Sequence, residues 1–317
     1  MSPRTILLAV NGPQSTVYHE VFRREFAARD VRLWPDHVGE PADIAYACIW
    51  RTPHGLLTPF RNLKVIFNLG AGADHVLADP ALPDLPLVRA ANPDLSMRVT
   101  EYCVLHALMF HRRQRLYDAQ QRERIWKGHE QPAASEVTVG VMGLGVIGAQ
   151  VADTLSRVGF KVVGWSASPK EIPGIETFAG PGGLDAFLGK TEILIVLLPS
   201  TPATEGILDL ALLRKLKRAG AAGGAFLINA GRGKLQVDAD IAAALDEGAL
   251  AGAALDVFPQ EPLPANSPLW THPRVTVTPH NAGDVSPQAI VADISRQIGR
   301  FEDGEPLEHL VERKRGY

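Results

Sequence analysis

Gly143-Leu144-Gly145-Val146-Ile147-Gly148 follows a short apolar run, Val137-Thr138-Val139-Gly140-Val141, and precedes Ala149 to Val158, where Val151, Ala152, Leu155 and Val158 keep helical spacing. A second apolar run comes next at Phe160 to Trp165. Strand, glycine-rich turn, helix and strand within about 30 residues is the arrangement of a dinucleotide-binding unit. Each glycine has its own task there. Gly143 permits the tight turn, Gly145 lets the main chain approach a pyrophosphate, and Gly148 lets the helix pack closely on the strand. Val146 and Ile147 open the helix, whose free N–H groups and positive dipole end favour phosphate. Gly143, Gly145, Val146, Ile147 and Gly148 are therefore the first candidate cofactor-binding residues.

The remaining bulk properties narrow the class. A chain of 317 residues favours two domains over one, and 46% hydrophobic with 21% charged residues describes a globular protein with apolar material for two cores. A net charge of -3 provides no global field to recruit nucleic acid or an anionic membrane. The two cysteines, Cys48 and Cys103, lie far apart without CxxC spacing. That argues against a disulfide framework or a structural zinc site and fits a reducing cytoplasm. Ile6 to Val10 is too short for a signal peptide, and no run approaches the ~20 apolar residues of a membrane span. A cytoplasmic enzyme is expected.

Apolar runs alternate with helical patterns along the whole chain. Thr5-Val10, Val31-Trp34, Ile44-Trp50, Val65-Leu69 and Leu87-Arg89 read as strands, with Val17-Ala28 as a helix. Leu95 to Tyr117 reads as one long helix. Past the glycine turn, Ile193-Leu198, Phe226-Asn229, Ala253-Val257 and Val275-Thr278 read as strands. Leu210-Leu216, Val237-Glu247 and Pro287-Phe301 read as helices. The alternation predicts α/β architecture: a doubly wound, Rossmann-type nucleotide-binding domain and a second α/β domain.

Three segments at predicted strand ends each deliver one ionisable side chain: Asn229-Ala230-Gly231-Arg232-Gly233, Asp256-Val257-Phe258-Pro259-Gln260-Glu261-Pro262 and Thr278-Pro279-His280-Asn281-Ala282-Gly283. Reduction of a 2-keto acid needs these types. A guanidinium grips a carboxylate bidentately and polarises the adjacent carbonyl oxygen. An imidazolium protonates that oxygen, and a nearby carboxylate orients the imidazole and stabilises its charged form. Taken singly, Arg232 reads equally as a helix cap or surface ion pair, Glu261 as a solvated turn residue, and His280 as a satisfied core histidine. Their joint occurrence at strand ends of one nucleotide fold, where such sheets place ligands, favours the catalytic reading.

Over essentially its whole length the chain resembles the D-isomer-specific 2-hydroxyacid dehydrogenases, and is most similar to their glyoxylate/hydroxypyruvate reductase branch. The resemblance is carried by Asn68-Leu69-Gly70-Ala71-Gly72-Ala73-Asp74-His75, by the turn at 143–148, by Leu197-Leu198-Pro199-Ser200-Thr201-Pro202, by the three segments above, and by the closing Arg315-Gly316-Tyr317. It implies that Arg232 binds substrate, Glu261 assists the histidine and His280 is the acid/base. It implies a substrate carboxylate on main-chain N–H groups of Ala71 and Gly72, with Trp50 at the substrate site. Asp256 falls near the nicotinamide amide, and Leu198, Pro199, Ala230 and Gly283 border the cofactor. The family pattern further implies a discontinuous, flavodoxin-like substrate domain of residues 1–98 plus 285–317, a nucleotide domain of 99–284, and a homodimer.

The second strand of a nucleotide unit selective for NAD ends in Asp or Glu, which binds the ribose 2′-hydroxyl. Here Val163-Gly164-Trp165-Ser166-Ala167-Ser168-Pro169-Lys170 places Ser166 at that position. Ser166, Ser168 and Lys170 can receive a 2′-phosphate that an acid would repel, so NADP(H) is favoured over NAD(H). Relatives that prefer NADP(H) often carry Arg where Ala167 stands.

Other readings compete. Another 2-keto acid reductase, for lactate, phosphoglycerate or an aromatic keto acid, would use Arg51, beside Trp50, for a second acidic group, but Arg51 reads more simply as an exposed loop arginine. A dinucleotide sensor without turnover has no use for the full Arg232, Glu261 and His280 set. Arg112, Arg113, Arg115, Arg122, Arg124 and Lys127 form a basic run, but Asp118 and Glu123 interrupt it and no aromatic stacking pattern accompanies it, so nucleic acid is not an expected partner. His106 and His111 lie five apart on one helix, which does not place them on a shared face, and no metal is expected.

Overall fold

The computed structural model describes residues 4–12, 14–91 and 93–313, so Arg315-Gly316-Tyr317 lies outside the described residues. The chain divides into two compact units. One comprises the residues up to Leu95 with those from Val285 onward, and the other runs from Ser96 to Asp284.

The first unit is built on five parallel strands, β1 (Thr5–Val10), β2 (Val31–Leu33), β3 (Ile44–Trp50), β4 (Val65–Asn68) and β5 (Leu87–Arg89), in the order β2-β1-β3-β4-β5. That is the flavodoxin-like order expected from the sequence. Every residue of β1 and β4 is buried, which is why these strands read as continuous apolar runs without alternation. Helix α1 (Ser15–Glu25) buries Tyr18, Val21 and Phe22 on one stripe and ends in Arg23 and Arg24, cations suited to a helix C-terminus. A short α2 (Asp74–Leu77) follows β4.

The second unit carries α3 (Pro93–His111, entering from the first unit), α4 (Gln114–Arg122), β6 (Thr138–Met142), α5 (Val146–Val158), β7 (Lys161–Ser166), β8 (Glu176–Ala179), α6 (Gly180–Lys190), β9 (Ile193–Val196), α7 (Leu210–Leu213), β10 (Phe226–Asn229), α8 (Asp238–Asp246), β11 (Gly252–Leu255) and β12 (Val275–Val277). Its seven strands are parallel, in the order β12-β11-β10-β9-β6-β7-β8. Leu194, Val196, Leu227 and Leu255 pack on one side of the sheet, and Val139, Val141, Ile193, Ile195 and Ile228 on the other. Each such fully buried side chain is worth ~1.5–3 kcal/mol. The chain returns to the first unit as α9 (Pro287–Glu302), where Ser286 Oγ accepts from Ala289 N at 3.3 Å and Pro287 occupies the first turn.

One expectation is corrected, and two elements form where none was named. The long helix over Leu95 to Tyr117 is two helices, because Arg113 adopts a left-handed backbone with φ +53. Arg115, just beyond the break, donates to Thr276 Oγ1 at 2.7 Å and to Pro273 O at 2.6 Å, tying the redirected α4 to the end of β12. Apolar spacing alone does not register such a break. Between Lys170 and Glu192, where the sequence pattern marks no element, β8 and α6 form. Gly180, Pro181, Gly182, Gly183 and Gly189 give α6 weak intrinsic propensity, so packing of Phe187 and Leu188, both fully buried, has to hold it.

Candidate active site

Strand β6 lies between β9 and β7, so the connection from β6 to α5 sits where the strand order reverses, the position at which open α/β sheets bind ligands. The glycine turn there behaves as its sequence suggests. Gly143 has φ +111, and a Cβ on it would lie 2.7 Å from Leu197 O and 3.1 Å from Leu198 N, so this turn abuts the Leu198-Pro199 turn after β9. A Cβ at Gly148 would fall 1.8 Å from Gly143 O, which fixes glycine at the helix–strand contact. Gly145 differs: a Cβ there would meet nothing within 4 Å. That open space, at the N-cap of a helix with no side-chain cap and no acid in its first turn, is a cradle for a phosphate. The residues therefore fit a dinucleotide.

After β7, Ser166 is 7% exposed and its hydroxyl donates to Ser168 O at 2.7 Å. Its single proton is thus committed to shaping the turn, while Ser168 and Lys170 are exposed. Ser166, expected to meet a 2′-phosphate, here shapes the turn that carries Ser168 and Lys170.

The loops after β10, β11 and β12 bring the three ionisable residues to the same C-terminal edge. Asn229, fully buried, shapes the first loop: its Oδ1 accepts from Gly231 N at 3.1 Å and its Nδ2 donates to Gln236 Oε1 at 2.7 Å. Arg232 is half-buried, with Nη1 on Gly231 O at 2.7 Å. A Cβ at Gly233 would fall 1.9 Å from Phe258 O, so the arginine loop interlocks with the loop bearing Glu261. His280 Nδ1 lies 2.8 Å from Glu261 Oε2, and Glu261 Oε1 accepts from Phe258 N at 3.2 Å. With Nδ1 facing a carboxylate it carries a proton, which leaves Nε2 to exchange the mobile one.

Asp256 was not expected to act on this loop. It is 1% exposed; Oδ1 accepts from Thr278 Oγ1 at 2.6 Å and Asn281 N at 3.0 Å, and Oδ2 from Ala282 N at 2.9 Å. Of about four lone-pair positions on a carboxylate, three are filled by the histidine loop. Ala230 and Gly283 are half-buried beside these loops, and Thr204 Oγ1 donates to Pro199 O at 2.7 Å.

In the first unit, the turn after β4 is organised by Asn68. It is 2% exposed, and its amide nitrogen donates to Gly70 O at 2.8 Å and Gly72 O at 2.9 Å. Pulling the Gly70 carbonyl inward turns the Ala71 N–H outward, because the two ends of a trans peptide point oppositely. The Ala71 and Gly72 N–H groups donate to no described residue. Trp50 covers Gly70, where a Cβ would lie 2.1 Å from the indole, and meets His75 edge-on at 5.1 Å. Arg51 packs over the same indole, 5.7 Å from its centroid.

A separate cleft of about 640 Å³ opens at the N-terminal edge of the seven-stranded sheet, lined by Thr138, Lys161, Lys190 and Lys217 among others. Glu176 engages Lys190 at 2.6 Å and Glu192 engages Lys217 at 3.1 Å, and the last turn of α5 contributes Ser156 to its wall. A helix C-terminus disfavours anions, so this cleft lacks the feature that the glycine turn offers a phosphate. Among the described residues no group of His, Cys, Asp or Glu is placed to hold a metal ion, and no helix is long and apolar enough to cross a membrane.

Residues 104–282 match the family model described as D-isomer specific 2-hydroxyacid dehydrogenase, NAD binding domain. The chain is 42% identical over 309 residues to a glyoxylate/hydroxypyruvate reductase A of Escherichia fergusonii, covering 96% of each chain. A probable 2-hydroxyacid dehydrogenase from Rhizobium etli, solved with NADP, HEPES and L(+)-tartaric acid, superposes with a TM-score of 0.94 at 43% identity, over 99% of this chain and 100% of that one. An NADPH-dependent glyoxylate/hydroxypyruvate reductase from Sinorhizobium meliloti, solved with NADP and sulfate, also gives 0.94 at 43% identity, over 99% of both.

Proposed function

The chain belongs to the D-isomer-specific 2-hydroxyacid dehydrogenase family, which makes it an NAD(P)-dependent oxidoreductase, and from that premise we propose that it reduces glyoxylate and hydroxypyruvate to the 2-hydroxy acids with NADPH. The observation that carries this reading is the His280–Glu261 contact of 2.8 Å beside the Arg232 loop, at the edge of the sheet that holds the glycine turn.

When bound, the dihydronicotinamide supplies hydride. His280 holds the proton for the substrate's carbonyl oxygen on Nε2, and Glu261 keeps the ring oriented. Arg232 grips the carboxylate and polarises the neighbouring carbonyl oxygen. The main-chain N–H groups of Ala71 and Gly72 act as an anion nest for a carboxylate, and Trp50 borders the substrate. Residues 143–148 hold the pyrophosphate; Leu198, Pro199, Ala230 and Gly283 border the cofactor, and the fourth lone-pair position of Asp256 is left for the carboxamide. Ser168 and Lys170 receive the 2′-phosphate on a turn that Ser166 shapes. In this reading residues 1–98 with 285–317 form the substrate domain, 99–284 the nucleotide domain, and the protein works as a cytoplasmic homodimer.

Oxidation of NADPH and NADH by the purified protein, with glyoxylate, hydroxypyruvate, pyruvate, phenylpyruvate and oxaloacetate, tests the proposal. Fastest turnover of glyoxylate or hydroxypyruvate with NADPH is expected. Preference for a bulkier keto acid overturns the substrate assignment, and NADPH binding without turnover of any of them overturns the enzyme mechanism.

A further inference from the structure

His280 has φ +54, a left-handed backbone that costs a non-glycine residue about 1–3 kcal/mol unless its surroundings impose it. Asp256 imposes it from four sides. Its main-chain carbonyl accepts from His280 N at 2.8 Å, and its two carboxylate oxygens take Thr278 Oγ1, Asn281 N and Ala282 N. Three consecutive members of the loop, 280 to 282, thus donate main-chain N–H groups to this one residue.

The network continues into α3. Tyr102 OH lies 2.9 Å from Thr278 Oγ1. A hydroxyl has one proton, and Thr278 gives its own to Asp256 at 2.6 Å, so the phenol must be the donor in the outer contact. Burial pushes the Tyr102 phenol far above its usual range, so that proton stays in place. The ring is held in turn by His106, whose centroid is 4.3 Å away and which is itself buried.

We propose that Tyr102 and Thr278 are positioning residues for the reaction: their hydroxyl relay into Asp256 locks the left-handed turn that aims the His280 imidazole. This rests on the reading of His280 as proton donor. The relay is specific in its parts. Thr278→Val keeps the branched shape and removes the proton, leaving Asp256 Oδ1 with Asn281 N alone. Thr278→Ser keeps the proton. Tyr102→Phe keeps the ring and removes the outer donor.

The test compares these three variants and His280→Ala for kcat and KM with hydroxypyruvate, for NADPH Kd, and for the solvent deuterium isotope effect on kcat. Misaimed proton delivery should lower kcat of Thr278→Val by ~10–100-fold, with KM and Kd within about threefold of wild type. Its isotope effect should rise, because proton transfer then limits the rate, and Thr278→Ser should recover most of kcat. Tyr102→Phe should show the same pattern more weakly, and it carries the test alone should Thr278→Val not fold. Wild-type kcat and isotope effect in both Thr278→Val and Tyr102→Phe, with His280→Ala inactive, overturn the relay while leaving His280 as donor. A fully active His280→Ala overturns the donor assignment and the relay with it.

Discussion

Glu261 and His280 stand 19 residues apart in the chain and 2.8 Å apart in space, each at the end of a loop that follows its own parallel strand. Glu261 is further held by Phe258 N at 3.2 Å, so the carboxylate is fixed before the imidazole meets it. The pair converts an exposed histidine, which water would let rotate, into one with a defined tautomer and direction.

His280→Ala is accordingly expected to lower kcat by ~10²–10⁴-fold, the usual contribution of a positioned acid. NADPH affinity, measured by quenching of protein fluorescence, should hardly change. Near-normal turnover in this variant rejects His280 as the proton donor.

Arg232→Lys keeps the charge and loses the planar fork. Two charge-assisted hydrogen bonds reduced to one should cost ~1.5–3 kcal/mol, or ~10–100-fold in keto-acid KM. Steady-state kinetics with glyoxylate decide the point; unaltered KM and kcat remove Arg232 from the site.

Ser166→Asp both breaks the 2.7 Å bond to Ser168 O and places a negative charge where a 2′-phosphate is expected. Such a like-charge encounter costs several kcal/mol, so the ratio of kcat/KM for NADPH over NADH should fall by ~10-fold or more. An unchanged ratio sinks the assignment of this turn to the 2′-phosphate.

The glycines of the turn should separate folding from binding. Gly148→Ala drives a methyl to 1.8 Å from Gly143 O and should lower stability by ~1–3 kcal/mol or more. Gly145→Ala meets nothing within 4 Å at an ordinary φ of -75, so its melting temperature should match wild type while NADPH binding weakens. Equal Kd for Gly145→Ala and wild type contradicts a pyrophosphate at that cradle.

In the first unit, hydrogen bonds from Arg29 at 2.7 and 2.8 Å hold the Glu302 carboxyl below the usual carboxylate range, partly against burial, with Tyr46 OH a further donor at 3.1 Å. A depressed carboxyl binds fewer protons when folded than when unfolded. Its stabilisation is therefore complete above the unfolded value of ~4.3 and fades as pH falls through the lower folded value. Glu302→Gln should cost ~1–2 kcal/mol in urea unfolding at neutral pH, and the deficit should shrink toward pH 3. A deficit that does not vary with pH assigns the effect to packing instead.

Much of this protein was legible without coordinates. Continuous apolar runs such as Ile44–Trp50 and Phe226–Asn229 mark buried parallel strands, because both faces of such a sheet are covered and alternation disappears. Gly143, Gly145 and Gly148 announce a tight strand-to-helix turn because their spacing is set by local geometry. Arg232, Glu261 and His280 stood out as candidates by type and by position at strand ends. What stayed hidden depends on partners distant in sequence. The left-handed break at Arg113 accompanies a grip by Arg115 on residues 158 to 161 positions away, and α6 persists despite its glycines because Phe187 and Leu188 are fully buried. The bond of the Ser166 hydroxyl to Ser168 O, and the grip of the Asp256 carboxylate on the histidine loop, are contacts that no motif announces. A sequence states which groups can donate, accept or carry charge. Only the folded chain decides which of those capacities are already spent within the protein and which remain for a ligand.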